Sequence, residues 1–346
     1  ESLHVQGVSG KDAEISMFVK AEKINLSAKC DPAPRAIQPR TPRYCAALGK
    51  FIPHGEKAVF KVLKKVFGHK VVFKGMNALE GGEAMAKHWG AFNNPVAIGL
   101  DASRFDQHVS VDALKFEHHL WELMVLPGDR SALRTLLEMQ LRNKGVARTP
   151  DGVIKYTTNG CRMSGDMNTS SGNCLIMCAL VYAFMQTHGP GVTYRLANNG
   201  DDCVLFMERE SLPLVRHIPD FFSRCGFTMK VEAPVYELEH VEFCQTQPVY
   251  TSKGWVMCRN PRSAMAKDLF ANCDLSTLAV RQQWAQAMRC GGLALTDGVP
   301  VWPEFYQMFP SHESDSRFRQ ELSRVSESGF AKMAARMKFE AEPKLP

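Results

Sequence analysis

Residues 192–207 have the sequence VTYRLANNGDDCVLFM, which is the most informative stretch of the chain for predicting its fold. Apolar residues dominate 192–196 and again 203–207, which is typical of buried strands. Between them lies Asn198-Asn199-Gly200-Asp201-Asp202, a run of residue types that favour tight turns. The stretch therefore predicts strand, turn and strand: a β-hairpin with two carboxylates at its tip.

A third carboxylate follows another short apolar strand, Val96 to Leu100, which ends at Asp101. If that strand neighbours the hairpin, Asp101, Asp201 and Asp202 converge on one point at the edge of one sheet. Two Mg²⁺ ions about 3.5–4 Å apart need such a cluster, because hard cations prefer carboxylate oxygens. The pattern predicts a two-magnesium site in which Mn²⁺ can substitute, although a lone Gly-Asp-Asp is also common in turns.

The remaining pattern alternates helices and strands. It predicts helices at 57–67 (amphipathic and basic), 111–126, 174–185 (buried, after the turn formers Ser171-Gly172-Asn173) and 212–225 (capped by Gly226). It predicts strands at 153–158, after a turn at Asp151-Gly152, and at 228–232, with a hairpin over 241–258. After Asn260 the pattern is helical, with breaks at Gly291-Gly292 and 300–303. The fold class is α+β, with an antiparallel sheet and a helical tail.

Composition and charge suit a globular protein that holds a polyanion. The chain has 346 residues, of which 45% are hydrophobic and 23% charged, and its net charge is +6. Residues 20–74 carry a net charge of +10, so the rest of the chain is net acidic by about 4. A basic segment beside a carboxylate site suits nucleic-acid binding. A solvated lysine-rich surface is the alternative.

Other sequence features are expected to be structural. The 11 cysteines are interpreted as reduced thiols, mostly in the core, as at Cys174, Cys178, Cys203, Cys225 and Cys244. No second Cys/His pair completes a zinc site with Cys174 and Cys178. His118 and His119 are expected on a helix surface. Residues 1–10 do not resemble a signal peptide, and the longest apolar run, 174–185, is too short to span a bilayer.

The order and spacing of several motifs resemble those of viral RNA-dependent RNA polymerases. Motif A is Asp101-Ala-Ser-Arg-Phe-Asp106, motif B runs from Ser164-Gly165 through Thr169 to Asn173, and motif C is Asn199-Gly200-Asp201-Asp202. Basic motif F matches Lys20-Ala-Glu22-Lys23 and 34–44, motif D matches Gly226–Lys230, and motif E matches Val241–Gln245. The run Pro34-Arg35 with Gln38-Pro39-Arg40 and Pro42-Arg43-Tyr44 is especially similar to tombusvirus and carmovirus replicases. The resemblance covers roughly residues 15–260.

The resemblance implies catalytic roles around the carboxylates. Asp101 and Asp201 would bind both ions, and Asp202 would contribute more weakly. Asp106, with Thr169 and Asn173, would recognise the ribose 2′-OH, and pairing of this kind rejects deoxyribose. Capping of the following helix is the alternative for Asp106. Lys230 would protonate the pyrophosphate leaving group, and a surface lysine is the alternative.

Further residues are implied to contact nucleotide or RNA. Lys20, Lys23, Arg35 and Arg40 would line the nucleotide tunnel, since the arginine fork suits phosphate. Ser164 would bind near the nucleotide, and Gly165 would belong to the loop that supports the template base. Arg43 would contact RNA or hold its loop in shape. Phe243, Cys244 and Gln245 would grip the nascent 3′ end, with a core position as the alternative for Phe243.

The implied architecture is a right hand. Fingers would comprise 1–95 and 127–160, the palm 96–126 and 161–250, and a helical thumb 251–346. Asn199 departs from the Tyr common before Gly-Asp-Asp. The chain starts just before motif F, so we expect it to be one portion of a larger replicase, with an upstream region that supplies membrane anchoring.

The expected activity is RNA-directed RNA synthesis by two-metal nucleotidyl transfer from NTPs. Expected partners are template and nascent RNA, NTPs and an upstream replicase region or auxiliary viral protein. The expected location is a membrane-associated replication complex in the host cytoplasm. Two rival functions are a reverse transcriptase, which the acidic Asp106 disfavours, and a non-catalytic RNA-binding scaffold.

Overall fold

A computed structural model describes residues 7–23, 33–296 and 298–310. The strands are β1 (Ile15–Val19), β2 (Ala36–Ile37), β3 (Pro95–Ser103), β4 (Arg142–Thr149), β5 (Gly152–Asn159), β6 (Tyr194–Asn199), β7 (Asp202–Glu208), β8 (Thr228–Val231), β9 (Thr246–Thr251) and β10 (Gly254–Arg259). The helices are α1 (Pro42–Leu48), α2 (Ile52–Phe67), α3 (Ala78–Trp89), α4 (Phe105–His108), α5 (Val111–Met124), α6 (Arg130–Glu138), α7 (Thr169–His188), α8 (Ile218–Arg224), α9 (Pro261–Asp268), α10 (Leu278–Thr296) and α11 (Trp302–Gln307). Single 3₁₀ segments lie at Pro127–Asp129, Arg209–His217 and Leu238–His240. The predicted mixture of helices with an antiparallel sheet is confirmed.

The central sheet has the strand order β6-β7-β3-β8, and every neighbouring pair is antiparallel. Its strands form because Val, Leu, Ile and Phe fill the runs 96–100 and 203–207, whose residues are almost all buried. The hairpin predicted from residues 192–207 is confirmed as β6 and β7, and only Gly200 and Asp201 lie between the two strands. Asp101 comes near the end of β3.

A second sheet has the order β2-β1-β4-β5. The β4–β5 hairpin turns between Thr149 and Gly152, as the Asp151-Gly152 pair predicts. Strand β1 runs parallel to β4, and β2 pairs with β1 on the other side. This sheet positions the residues just before Pro39 and Arg40.

Most predicted helices are present, but their bounds differ. The basic helix is α2, whose Val59 and Leu63 are buried while its lysines are exposed. Helix α7 begins at Thr169, so the turn predicted at Ser171-Gly172-Asn173 is wrong: these residues are buried inside the helix. The helix predicted over 212–225 is a 3₁₀ segment containing Pro213, followed by α8, because Pro cannot donate an α-helical hydrogen bond.

Contacts between Cα atoms divide the chain into two compact units. One comprises the described residues within 1–20, 33–74 and 88–236, and the other comprises those within 21–32, 75–87 and 237–346. In the second unit α10 runs unbroken through Gly291-Gly292, contrary to the predicted break. The ring of Tyr306 explains why glycine is needed there, because a Cβ on Gly292 would lie 2.0 Å from it.

The core of the first unit forms around Val96, Ile98, Leu205 and the apolar residues of α7. The cysteines of the described residues are free thiols. Cys174, Cys178 and Cys203 are buried as predicted, but Cys225 is exposed and Cys244 is half-buried. Within the described residues, no helix has the length and apolarity needed to cross a membrane.

Candidate active site

The hairpin tip and the end of β3 lie side by side in the central sheet. In the antiparallel register, Asp101 of β3 stands directly opposite Asp202 of β7. Asp201 follows Gly200, whose φ of 82° is left-handed and favours glycine. The Gly200 N–H donates to Sγ of Cys174 over 3.1 Å, which ties the turn to the buried helix α7. The three aspartates therefore share one edge of the sheet.

The carboxylates at this edge influence one another electrostatically. The Asp201 side chain reaches the surface, yet desolvation by the surrounding protein raises its pKa, and the charge of Asp101 raises it further against a backbone hydrogen bond that lowers it. Among the described residues, no group of three or more His, Cys, Asp or Glu side chains is arranged to hold a metal ion. The convergence of all three aspartates on one point is thus not seen. Their hard oxygen donors and mutual repulsion nonetheless fit divalent cations, which relieve repulsion between carboxylates.

Lys230 stands on the other side of Asp101. It belongs to β8, and its register partner on β3 is Asp101 itself. The Lys230 side chain is exposed, whereas its neighbour Met229 is buried, as strand alternation requires. One face at the end of the sheet thus carries Asp202, Asp101 and Lys230 on three consecutive strands.

Asp106 and Asn173 meet beside this edge. Asp106 lies in the short helix α4, and its Oδ1 accepts a hydrogen bond of 2.7 Å from Nδ2 of Asn173 on α7. Desolvation raises the pKa of Asp106, and the hydrogen bond from Asn173 opposes that rise. The alternative role for Asp106, capping the helix that follows, is not seen: Ser110 caps α5.

Two charged residues behind this contact were missed from the sequence. Arg162 donates through Nε to Oδ1 of Asn173 over 3.1 Å and through Nη2 to Oε2 of Glu117. Both side chains of this ion pair are fully buried. The sequence carried one signal for it, since Glu117 lies at helical spacing from the apolar Leu114 and Trp121 and therefore on the inner face of α5.

His118, expected on the surface, is buried on the same helix, where its Nε2 is 3.2 Å from Oε1 of Gln140. Burial lowers the pKa of His118 and favours the neutral ring. His119 is exposed, as predicted.

Arg40 is placed differently from its predicted position in a nucleotide tunnel. Its guanidinium is buried and makes two hydrogen bonds to Asp166, with Nε–Oδ1 2.5 Å and Nη2–Oδ2 3.1 Å. A further hydrogen bond of 2.7 Å reaches the carbonyl of Ala13. Arg40 therefore connects the residues just before β1 and its own loop to the motif B loop that contains Asp166.

The motif B loop packs on the basic loop, residues 34–44 of motif F. The Gln38 N–H donates to Oγ of Ser164 over 3.1 Å. A Cβ at Gly165 would lie 2.5 Å from Cα of Pro39, so only glycine fits there. Thr169, a predicted ribose contact, donates its hydroxyl to the Met163 carbonyl over 2.7 Å. This bond connects the first residue of α7 to the loop that precedes it.

The basic loop divides into surface and structural residues. Arg35 is exposed, and its carbonyl accepts a hydrogen bond of 2.8 Å from the Lys20 N–H. This bond connects the two parts of motif F. Lys23 is half-exposed. Arg43 pairs with Asp12 at 3.2 Å, which favours the alternative that it holds its loop in shape. Residues 24–32, within the +10 segment, lie outside the described residues.

In the second unit, the motif E residues form a tight turn before β9. Phe243 and Thr246 exchange backbone hydrogen bonds of 2.8 and 3.0 Å around Cys244 and Gln245, whose φ values are 51° and 61°. Phe243 is buried, which supports its alternative as a core residue rather than an RNA contact. Left-handed backbone at two residues with side chains is unfavourable, so surrounding structure must impose this turn.

Comparison with known proteins identifies the family to which this chain is related. The family described as viral RNA dependent RNA polymerase matches residues 1–344. The chain is 50% identical over 313 residues to the RNA-directed RNA polymerase of Tobacco necrosis virus (strain D), covering 90% of this chain and 43% of that protein. It is 51% identical over 314 residues to the corresponding protein of Cucumber necrosis virus, covering 90% and 38%. For Carnation mottle virus the identity is 43% over 338 residues, covering 97% and 43%.

The chain spans about two fifths of the length of these curated relatives. Each of them carries the name RNA-directed RNA polymerase. Since the family match extends over nearly the whole chain, this protein belongs to the viral RNA dependent RNA polymerase family.

Proposed function

We propose that this chain is the catalytic part of an RNA-dependent RNA polymerase. One observation carries the proposal: Asp202, Asp101 and Lys230 lie in register on three strands, beside Asp201 and the Asp106–Asn173 contact. Carboxylates can hold the metal ions of an in-line displacement, a lysine can act as a general acid, and a paired Asp and Asn can recognise a ribose hydroxyl. In the proposed right hand, the palm holds 96–126 and 161–250, the fingers 1–95 and 127–160, and the thumb 251–346.

The reaction is attack of an RNA 3′-OH on the α-phosphate of an NTP, with loss of pyrophosphate. Asp101, Asp201 and, more weakly, Asp202 would hold two Mg²⁺ ions, which when bound neutralise phosphate charge and make the 3′-OH more acidic. Lys230, opposite Asp101, donates a proton to the departing pyrophosphate. Asp106 and Asn173 recognise the ribose, and Arg35 with Lys20 and Lys23 orients the triphosphate. Ser164 and Gly165 support the template base.

Template-length synthesis is the direct test of this function. Purified protein is incubated with a short RNA template, NTPs and Mg²⁺ or Mn²⁺, and the products are resolved by length. A polymerase yields product of template length from NTPs. A reverse transcriptase would prefer dNTPs, and an RNA-binding scaffold would bind template without making product.

The proposed partners are RNA and NTPs, together with an upstream replicase region or an auxiliary viral protein. The proposed setting is a membrane-associated replication complex in the host cytoplasm. Two findings support this setting. The chain is similar to viral RNA-directed RNA polymerases, and it covers only about two fifths of the length of those proteins.

Arg35→Ala is expected to raise the KM for NTP and lower kcat. Arg35 is exposed beside Lys20, where a guanidinium can orient the triphosphate as charge develops. Lys65→Ala, on the exposed side of α2, should change RNA affinity modestly or not at all. Steady-state kinetics with a fixed RNA template measure both. If Arg35→Ala alters RNA binding and leaves nucleotide kinetics unchanged, Arg35 belongs to the template path.

The lysine face of α2 is expected to bind RNA backbone through several weak contacts. Its exposed lysines are Lys57, Lys61, Lys64 and Lys65. Like charges at i and i+4 destabilise a helix, so a row of them favours a polyanionic partner. Replacing Lys57, Lys61 and Lys65 together by Gln should weaken RNA binding by on the order of tenfold at low salt.

The dependence of RNA affinity on salt provides the matched measurement. Each lost phosphate contact makes the log–log slope shallower by about 0.7 for a single strand, so the triple variant should lose about 2. Lys11, Lys87 and Lys115 are exposed lysines elsewhere, and their replacement by Gln makes the same change in net charge. Equal losses of RNA affinity in both triple variants would mean that net charge, and not the lysine face of α2, determines RNA binding.

A further inference from the structure

A buried ion pair fixes one side of the proposed ribose pocket. Arg162 is 2% exposed and Glu117 is 0% exposed. Oε1 of Glu117 also accepts hydrogen bonds of 2.7 Å from Nε1 of Trp121 and 2.7 Å from Nδ2 of Asn168. The carboxylate is thus held from α5 and from the turn before α7. It in turn holds the guanidinium of Arg162 through Nη2.

The ion pair determines which way the Asn173 amide faces. A guanidinium can only donate hydrogen bonds, and an ionised carboxylate can only accept them. Asn173 therefore turns its oxygen to Nε of Arg162 and its NH₂ group to Oδ1 of Asp106. In the reversed amide, N–H would face N–H and oxygen would face oxygen. Arg162 thereby selects the amide orientation that hydrogen-bonds Asp106.

The absence of a side chain at Gly172 leaves room for the Arg162–Glu117 ion pair. At Gly172, the residue before Asn173, a Cβ would lie 2.3 Å from Oε1 of Glu117 and 2.7 Å from Nη2 of Arg162. Any other residue at this position of α7 would displace one of the two charged groups. Helix α7 thus approaches the ion pair closely, at the turn that presents Asn173.

The pair is poorly explained as a source of stability. Burying two charges has a desolvation cost that their attraction often fails to recover. Nη1 of Arg162 is also buried without a hydrogen-bond partner among the described residues, which adds to that cost. A hydrophobic pair could fill the same space without an orphaned donor. A requirement other than stability therefore favours a hydrogen-bond donor beside the Asn173 amide.

We propose that Arg162, held by Glu117, is a positioning residue that determines selection of ribonucleotides over deoxyribonucleotides. It fixes the Asn173 amide so that Asp106 and Asn173 present a rigid hydrogen-bonding edge to the 2′-OH. Arg162 acts through Asn173 and does not itself touch the nucleotide. The inference rests on the proposed polymerase function and on the ribose pocket within it.

The test removes the ion pair without leaving a lone buried charge. Arg162→Met with Glu117→Gln keeps approximate volume, and the amide that replaces the carboxylate retains an oxygen for Trp121 and Asn168. The measurement is kcat/KM for ATP and for dATP on one RNA template. The preference for ATP should narrow by about threefold to tenfold, the range for one hydrogen bond of ordinary strength.

A second buried ion pair provides the control. Arg40 and Asp166 are also almost fully buried, but they make no hydrogen bond to Asn173 or Asp106 among the contacts described. Arg40→Met with Asp166→Asn makes the same chemical change and should lower the melting temperature without altering the ATP/dATP ratio. If both double variants narrow the ratio equally, general loosening explains the effect and the proposal is overturned.

The remaining outcomes separate the proposal from the function on which it rests. If Asn173→Ala narrows the ratio and the Arg162 double variant does not, Arg162 is only structural. If neither changes the ratio, the ribose pocket itself is misassigned, and Arg162 has no specificity role. Should the double variant fail to fold, Arg162→Lys keeps the charge opposite Glu117 but lacks the planar fork. An unchanged ratio in folded Arg162→Lys, with normal rejection of dATP, would also overturn the proposal.

Discussion

Asp101→Ala and Asp201→Ala should each abolish nucleotide incorporation while leaving the fold intact. Asp101 stands opposite Asp202 in the sheet, and Asp201 lies next to it at the hairpin tip. Both side chains are exposed, Asp101 near the end of a strand and Asp201 in the hairpin turn, so truncation opens no core cavity. Removing either carboxylate removes a ligand that two divalent ions would share, and the loss should reach about 100-fold or more.

The measurement pairs single-nucleotide incorporation with thermal unfolding. Asp202→Ala should have a smaller effect, because Asp202 is proposed as the weaker ligand. Asp151→Ala is the matched control: Asp151 also lies at the tip of a β-hairpin, between β4 and β5. It should retain parental activity. Incorporation above about one per cent of the parent in Asp201→Ala, with an unchanged melting temperature, would refute the metal-ligand assignment.

The central hairpin was predictable because its signals are local. Alternation of apolar runs with Asn, Gly and Asp identifies strand, turn and strand without knowledge of the partner strand. The same holds for the β4–β5 hairpin and for α2. The proximity of Asp101 to that hairpin depends on strand pairing over about a hundred residues, and only the motif order of the family made it predictable.

The errors have a common physical cause, which is tertiary packing. Propensity predicts a turn at Ser171-Gly172-Asn173, but these residues are helical. Gly172 is needed there because a side chain would collide with the buried groups of Glu117 and Arg162. Gly292 is retained inside α10 for the ring of Tyr306. Propensity favours turns at both places, and close packing overrides it.

The partners of buried charged residues depend on tertiary packing in the same way. The partner of Arg40 is Asp166, which lies 126 residues away in sequence. No periodicity connects the two. The Arg162–Glu117 pair, 45 residues apart, is equally hidden from the sequence. Buried ion pairs are long-range contacts, so a sequence indicates one partner at most, through a charge on an apolar helix face.

Asn173→Ala should reduce the use of ATP more than the use of dATP. Asn173 donates to Asp106 over 2.7 Å, and together they are proposed to pair with the 2′-OH. A ribose hydroxyl left without its partners costs on the order of 1–3 kcal/mol, whereas dATP has no such hydroxyl to lose. Because 1.4 kcal/mol corresponds to one decade, the preference for ATP should narrow by about tenfold or more.

Stability must be separated from specificity in this variant, because Asn173→Ala also leaves Nε of Arg162 and Oδ1 of Asp106 without their contact. A structural loss lowers kcat/KM for both nucleotides together, while loss of hydroxyl recognition changes their ratio. The ratio of kcat/KM for ATP and dATP on one RNA template, in parent and variant, therefore isolates the ribose contact from the fold. If the melting temperature falls and the ratio does not change, Asn173 only supports the core, and the reverse-transcriptase alternative regains its standing.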